Sequence, residues 1–260
     1  MRNMRIPLLG VLAACAALAA LPAAAPAKSK VKAIKVLVTN DDGIAGGGMS
    51  AMVSALRKEP KVTITVVAPL RNQSGTGGKT TDGPLEATPA TLPNGFPATA
   101  VAGYPADAVN YALANVMTGA KRPDLVMSGI NEGANIGPFV ALSGTVGAAR
   151  AGAAQGVPAL ASSQGLAAPM SWPAGVKQTI AWFRANRSKL KKGTVWNLNI
   201  PSCSTGKVRG TVKVKSTSTS FYDYDPFGTV DCAVRSRPFE NDVTAYHAGF
   251  APLQSIGLGR

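Results

Sequence analysis

The feature that most constrains the fold is a regular alternation of two kinds of segment after residue 33. Short segments that are apolar at nearly every position alternate with longer segments whose apolar residues recur at helical spacing. The short segments predict strands at residues 34–39, 62–68, 124–128, 157–162 and 195–200. Because a strand that is apolar on both faces must be covered on both faces, the pattern predicts a parallel sheet between two layers of helices.

The segments between these strands supply the helices. Apolar residues at helical spacing predict helices at residues 49–57, 106–117, 146–155 and 174–186. Residues 71–97 are rich in Gly, Ser, Thr and Pro and are predicted to form a loop. Residues 208–260 carry more Thr, Ser and charged residues and are predicted to form strands or hairpins. We therefore expect an α/β, doubly wound core over 28–207, and a C-terminal β-rich extension or dimerisation arm over 208–260 that completes the fold.

The first 27 residues have the pattern of an export signal. A basic start precedes the apolar stretch 6–21, and Ala25-Pro26-Ala27 has the small residues of a cleavage site. A membrane anchor fits less well because the apolar run is short and interrupted by proline. Lipidation at Cys15 is a further alternative, although the chain stays apolar beyond that residue. We expect an exported protein, periplasmic or secreted, with no stable membrane span in the mature chain.

Export determines how the remaining cysteines are interpreted. Cys203 and Cys232 are the pair left after cleavage, and an oxidising compartment would allow one disulfide between them. The chain has a single histidine, His247, so there is no Cys/His cluster for zinc and a metal would have to be held by oxygen atoms. We interpret His247 as a surface or packing residue, with a role as general acid as the alternative.

The net charge points to anionic partners. It is +14 for the whole chain, and cleavage after residue 27 would remove two arginines. A basic surface attracts nucleotides, nucleic acid or anionic lipid, although it can also serve solubility alone. Neither a zinc finger nor a helix-turn-helix pattern accompanies the charge, so we predict no dedicated nucleic-acid binding.

Polar motifs follow three of the predicted strands. Asn40-Asp41-Asp42-Gly43 follows the first strand, residues 74–78 follow the second, and Ser128-Gly129-Ile130-Asn131 follows the third. In an open parallel sheet these loops meet at the carboxyl ends of the strands, where ligands bind. Together they offer two carboxylates, a hydroxyl and an amide, which suit Mg²⁺, Mn²⁺ or Ca²⁺. A turn with a helix cap is the simpler interpretation of the acidic pair taken alone.

Two glycine-containing segments are candidates for binding phosphate. Residues 74–80 resemble a phosphate loop, but this interpretation fails because Gln73 stands where a Walker A loop needs glycine. Residues 143–147, Ser-Gly-Thr-Val-Gly, begin a predicted helix. They can be a capping sequence, or their free amides and hydroxyls can form an anion site.

Taken in order, the motifs resemble the SurE family of survival-protein nucleotidases. The blocks are VLVTNDDGI, VVAPLRNQSGTGG, GYPADAVNYAL, PDLVMSGINEGANIG, LSGTVGAARAGA, NLNIP and DVTAYHAGFAPLQ. The resemblance implies a Rossmann-like core with an exchanged C-terminal arm and assembly to a homodimer or homotetramer. It also implies metal-dependent removal of phosphate from nucleoside 5′- or 3′-monophosphates, and in some members from short polyphosphate.

The resemblance also assigns residues. It places the ligands of a divalent cation, Mg²⁺ or Mn²⁺, on Asp41, Asp42, Ser74 and Asn131. Asp41 would be a ligand and possible base, and Asn40 would line the phosphate pocket. The remaining residues implied around the phosphate are Asn135, Ser143, Gly144 and Thr145.

This chain departs from the family pattern at three places. Ala151 stands where the family usually has Glu, Tyr104 replaces a small polar residue, and residues 250–253 differ from the usual block. These departures keep open an exported protein that binds nucleotide or polyphosphate with little turnover. A receiver-like module is disfavoured by export, and an aspartyl-phosphate route of the haloacid-dehalogenase type is disfavoured because position 43 is Gly rather than Asp.

Overall fold

The computed structural model describes Met1 and residues 31–215, 228–235 and 237–259. The described residues from Val31 onward belong to one compact unit. Residues 2–27 of the predicted export signal, including Cys15, lie outside the described residues, and so does part of the predicted arm. Within the described ranges, no helix is long and apolar enough to cross a bilayer.

The centre of the fold is a mixed, mostly parallel sheet. In the described part its strands are β1 (Ile34–Thr39), β2 (Val62–Pro69), β3 (Ala87–Thr91), β4 (Pro97–Val101), β5 (Leu125–Glu132), β6 (Ala159–Gln164), β7 (Val195–Ile200), β9 (Thr211–Lys213) and β11 (Ala251–Ile256). Their order in the sheet is β3-β4-β2-β1-β5-β6-β7-β11-β9. Neighbouring strands from β4 to β7 are parallel, whereas β3 pairs antiparallel with β4 and β11 pairs antiparallel with β7. A separate parallel pair joins β8 (Cys203–Thr205) to β10 (Val230–Asp231).

Helices cover both faces of this sheet. They are α1 (Gly47–Leu56), α2 (Pro105–Tyr111), α3 (Phe139–Leu142), α4 (Gly144–Ala154), α5 (Pro173–Asn186) and α6 (Asp242–His247). Apolar residues of α1 and α5 belong to one core cluster, and those of α2 and α4 belong to a second. The predicted doubly wound α/β fold is confirmed.

Strand β1 shows why the predicted strands are apolar throughout. Val36 and Val38 point into the cluster that contains α1 and α5, while Leu37 lies in the opposite cluster with α2 and α4. All three side chains are fully buried. Because successive side chains of a strand face opposite sides, a strand between two helical layers has no polar face.

Three predictions of local structure were wrong. The segment predicted as a loop over 71–97 contains β3, an edge strand that is mostly exposed and includes Pro89, so it lacks an apolar signal. The helix predicted to reach residue 117 is α-helical only to Tyr111 and continues as a π-helix at Ala112–Val116. The C-terminal region, predicted to contain only strands or hairpins, also contains α6.

A disulfide ties the C-terminal region together. Cys203 of β8 and Cys232, next to β10, are joined by an S–S bond of 2.01 Å. Cys232 packs in a small apolar cluster with Val230, Val243 and Ile136. The bond that the two cysteines allowed is therefore present in the structure.

We expect loss of this disulfide to lower the free energy of unfolding by about 3 kcal/mol, because the bond closes a loop and so restricts the unfolded chain. The cysteines are 29 residues apart. Urea unfolding of the Cys203→Ser/Cys232→Ser variant, beside the oxidised wild type, measures the difference. A reducing agent should lower the wild-type midpoint and leave that of the variant in place. Equal midpoints for the oxidised wild type and the variant would contradict the prediction.

Candidate functional site

The order of the strands creates a crevice beside β1. From β1 the chain passes first to β2 on one side and later to β5 on the other, so the winding of the sheet reverses at this strand. Ligands of open α/β sheets bind at such a point, outside the carboxyl ends of the strands. Asp41 and Asp42 follow β1 after Asn40, and Asn131 lies in the last residues of β5.

A local irregularity in β5 orients Asn131. The pairing between β5 and β6 shifts register between Ser128 and Asn131. Gly129 within this shift has φ +125°, and a Cβ there would lie 2.1 Å from the carbonyl oxygen of Ser162. Only glycine fits, and the irregularity turns the following side chains. The Nδ2 of Asn131 donates to the Gly133 carbonyl at 2.6 Å, which leaves its Oδ1 available as a ligand.

One cavity collects most of the predicted site residues. It has a volume of about 240 Å³. The predicted residues that line it are Asp41, Ser74, Asn131, Asn135 and Ser143. Apolar side chains of Ala134, Phe139 and Leu142 complete the lining, together with Glu132 and two glycines. The structure therefore brings together residues that are up to 102 positions apart in the chain.

The other predicted residues lie beside the cavity and hold its walls. The Asp42 carboxylate accepts from the backbone N–H of Glu132 at 3.2 Å and so links the turn after β1 to β5. The Nδ2 of Asn40 donates to the Gly43 carbonyl at 3.0 Å, closing that turn.

Asp41 meets the start of α4. The Thr145 hydroxyl donates to Asp41 Oδ1 at 2.5 Å. Gly144 leaves room for this contact, because a Cβ there would lie 2.7 Å from Asp41 Cβ. Ser143 caps the helix by accepting the Val146 N–H at 3.1 Å, so the capping interpretation of this segment is correct. Because the Thr145 hydroxyl donates its proton to Asp41, it has none left to donate to a ligand.

Burial makes the two carboxylates costly to ionise. Burial raises the pKa of Asp41 despite the hydrogen bonds from Thr145 and Gly144. Burial, and then the charge of Asp41, raise the pKa of Asp42 to about 7. In the described ranges, no lysine or arginine nitrogen lies within 4.0 Å of either carboxylate. Two carboxylates so close, without a cation, destabilise each other's charged form.

This donor set fits a divalent cation. The oxygens of Asp41, Asp42, Ser74 and Asn131 are all hard ligands of the kind that Mg²⁺ and Mn²⁺ prefer. Close by, Oδ1 of Asn40 is buried and has no hydrogen-bond partner among the described residues. The part of the chain that the structure describes contains no cluster of three His, Cys, Asp or Glu side chains. The candidate set has only two carboxylates, with a hydroxyl and an amide beside them.

The loop that carries Asn135 is held by a clamp that the sequence analysis did not assign. Asn199 Oδ1 accepts the Asn135 N–H at 2.7 Å, and Asn199 Nδ2 donates to the Asn135 carbonyl at 3.1 Å. Asn197 Nδ2 donates to the same carbonyl at 2.9 Å, and Asn135 Nδ2 donates to Ser163 Oγ at 2.8 Å. Asn197 and Asn199 alternate along buried β7, so two amides on one face of a core strand were the available signal.

The C-terminal region supports the same loop from another side. Oδ2 of Asp242 accepts the Gly137 N–H at 2.7 Å. Ala134 and Ile136 pack in the apolar cluster that contains Cys232. His247 is buried in α6 and does not line the cavity, which agrees with its interpretation as a packing residue.

The departures from the family pattern lie outside the cavity. Ala151 packs against the core cluster of α2 and α4. Tyr104 precedes α2 and lines a different cavity, of about 390 Å³, with Arg71 and Thr81 among its neighbours. Residues 250–253 overlap β11 at the far side of β7.

The fold and the site define a doubly wound α/β protein with an oxygen-ligand site at the point where the strand order reverses. The family model described as "Survival protein SurE" matches residues 36–224. The chain belongs to the SurE family.

Individual relatives agree with this assignment. The chain is 39% identical to the 5'-nucleotidase SurE of Methylococcus capsulatus over 177 residues, and the matched segment covers 67% of each chain. It is 40% identical over 179 residues to the 5'/3'-nucleotidase SurE of Yersinia pseudotuberculosis, covering 68% of this chain and 67% of the relative. The crystal structure of the SurE protein from Aquifex aeolicus matches with a TM-score of 0.70 and 27% identity, covering 86% of this chain and 93% of that one.

We predict that Asn199→Leu lowers the free energy of unfolding by about 1–3 kcal/mol, because a buried N–H loses its partner. The amide of Asn135 should also exchange its hydrogen faster. Urea unfolding and amide hydrogen exchange measure the two effects. Asn115→Leu is the matched control, since Asn115 is exposed and its side chain donates to the nearby Tyr111 carbonyl. It should change stability by less than about 0.5 kcal/mol. Unchanged exchange at Asn135 in the Asn199 variant would contradict the clamp.

Proposed function

We propose that this protein is a metal-dependent phosphomonoester hydrolase that releases phosphate from nucleoside 5′- or 3′-monophosphates, with short polyphosphate as a further substrate. The observation that carries the proposal is the adjacent pair of carboxylates, buried Asp41 and half-buried Asp42, without a cationic partner in the described part of the chain. Membership of the SurE family and the names of its relatives support the nucleotidase class.

The side chains proposed to hold a divalent cation, Mg²⁺ or Mn²⁺, are Asp41, Asp42, Ser74 and Asn131. When bound there, such a cation polarises a phosphoryl oxygen and lowers the pKa of coordinated water. Thr145 and Gly144 orient Asp41 through their hydrogen bonds and keep its carboxylate at the cavity wall. Thr145 is accordingly a positioning residue in this proposal.

The phosphate is proposed to lie against Asn135 and Ser143. Both line the cavity. One N–H of the Asn135 amide group donates to Ser163, which leaves its second N–H for a phosphate oxygen. Backbone clamping by Asn199 keeps this amide in place before substrate arrives. Preorganised donors of this kind stabilise charge that develops in the transition state.

Export and assembly are part of the proposal. The export-signal pattern of residues 1–27 and the Cys203–Cys232 disulfide both support a periplasmic or secreted protein. The resemblance to the SurE family supports assembly to a homodimer or homotetramer. The alternative, a nucleotide-binding protein with little turnover, gains no support from Ala151, since that residue does not line the cavity.

We expect Asp42→Asn to lower the rate of phosphate release more than about 100-fold, because it removes a charged ligand from the proposed cation site. The measurement is phosphate released from a panel of nucleoside monophosphates with Mg²⁺ or Mn²⁺. A chelator should abolish the wild-type rate, and added metal should restore it. Asp82→Asn is the matched control, because Asp82 is exposed in the loop before β3.

Two outcomes would count against this assignment. Undiminished release by Asp42→Asn would remove Asp42 from the cation site. Binding of nucleotide by the wild type, without release in either metal, would favour the binding protein over the hydrolase.

A further inference from the structure

We propose that Phe139 and Leu142 form a subsite for the nucleoside part of the substrate, so that this pair determines the preference for nucleotides over small phosphomonoesters. We call the two side chains the α3 wall. The inference rests on the proposed function, because it concerns the group attached to the phosphate in the same cavity.

The cavity lining has two chemical kinds of side chain. The polar kind comprises the proposed cation and phosphate residues, together with Glu132: Asp41, Ser74, Asn131, Asn135, Ser143 and Glu132. The apolar kind is contributed mainly by the α3 wall, and no proposed step of the hydrolysis uses it. A ligand that matches both kinds carries a phosphate and an apolar surface, which the faces of a nucleotide base supply. Ligand sites commonly combine an apolar wall with a few placed polar groups in this way.

The cavity is too small to enclose a whole nucleotide, so the nucleoside must extend from the polar part of the cavity towards its rim. The volume of about 240 Å³ is below the range of about 300–1,000 Å³ that is usual for sites that enclose a whole small molecule. A nucleoside monophosphate with its phosphate beside Asp41 must therefore reach the rim. Leu142 stands at that rim, with 56% of its surface exposed.

The α3 wall is fixed relative to the phosphate site. Ser143 directly follows Leu142 and caps α4. Thr145, in the first turn of α4, donates its hydroxyl proton to Asp41. The Leu142 carbonyl accepts the Gly77 N–H at 2.9 Å, and the Phe139 carbonyl accepts the Ser143 N–H at 3.0 Å. An apolar surface held in this way can bind a nucleoside without first being ordered, which favours affinity.

The test compares two substrates, two variants of Leu142 and one control variant. Adenosine 5′-monophosphate carries an aromatic base with apolar faces, whereas glycerol 3-phosphate carries only a short polar chain. Leu142→Ala should lower kcat/KM for adenosine 5′-monophosphate about tenfold, mainly through a higher KM, and at most about twofold for glycerol 3-phosphate. Leu142→Met should restore most of the loss. Leu258→Ala is the matched control, since Leu258 is 44% exposed and does not line the cavity.

Equal losses for both substrates would show a purely structural role and overturn the inference, as would no loss for the nucleotide. Calorimetric binding of adenosine 5′-monophosphate and of inorganic phosphate separates this result from failure of the proposed function. If the wild type releases no phosphate, the hydrolase proposal fails. The inference then stands only if Leu142→Ala weakens binding of the nucleotide and leaves binding of inorganic phosphate within about twofold.

Discussion

The candidate site is organised around two adjacent carboxylates that follow the carboxyl end of β1. Asp41 and Asp42 are adjacent in the chain, burial raises the pKa of each, and no cationic side chain in the described ranges is paired with them. Several elements converge on this pair. The start of α4 donates to Asp41, and the end of β5 donates to Asp42. A divalent cation is the simplest partner for a negative site built in this way.

The remainder of the fold holds the loop opposite this pair. Asn199 of β7 clamps the backbone of Asn135, and Asp242 of α6 holds Gly137, so strands and helices far along the chain fix one wall of the cavity. The C-terminal region thus contributes to the site without supplying a proposed ligand. The disulfide lies next to this loop, because Cys232 packs in one apolar cluster with Ala134 and Ile136.

The sequence predicted the parts of this molecule that follow from periodicity. The apolar run of β1 and the exact bounds of β7 were predictable, because buried parallel strands carry apolar residues on both faces. Strand β3 was not, since an exposed edge strand has no such pattern. For the site, the positions of Asp41 and Asn131 followed from the strand ends. The contact between Thr145 and Asp41, and the clamp by Asn199, depend on packing between distant segments that no local pattern encodes.

The central claim is that the carboxylate pair holds a divalent cation together with Ser74 and Asn131. Anomalous X-ray scattering from crystals of the mature protein grown with Mn²⁺ tests it most directly. The account predicts a manganese peak within about 2.0–2.6 Å of oxygen atoms of Asp41 and Asp42, with Asn131 and Ser74 facing the ion, directly or through water. A catalytically active crystal whose manganese lies elsewhere, or that holds none between these carboxylates, would contradict the account.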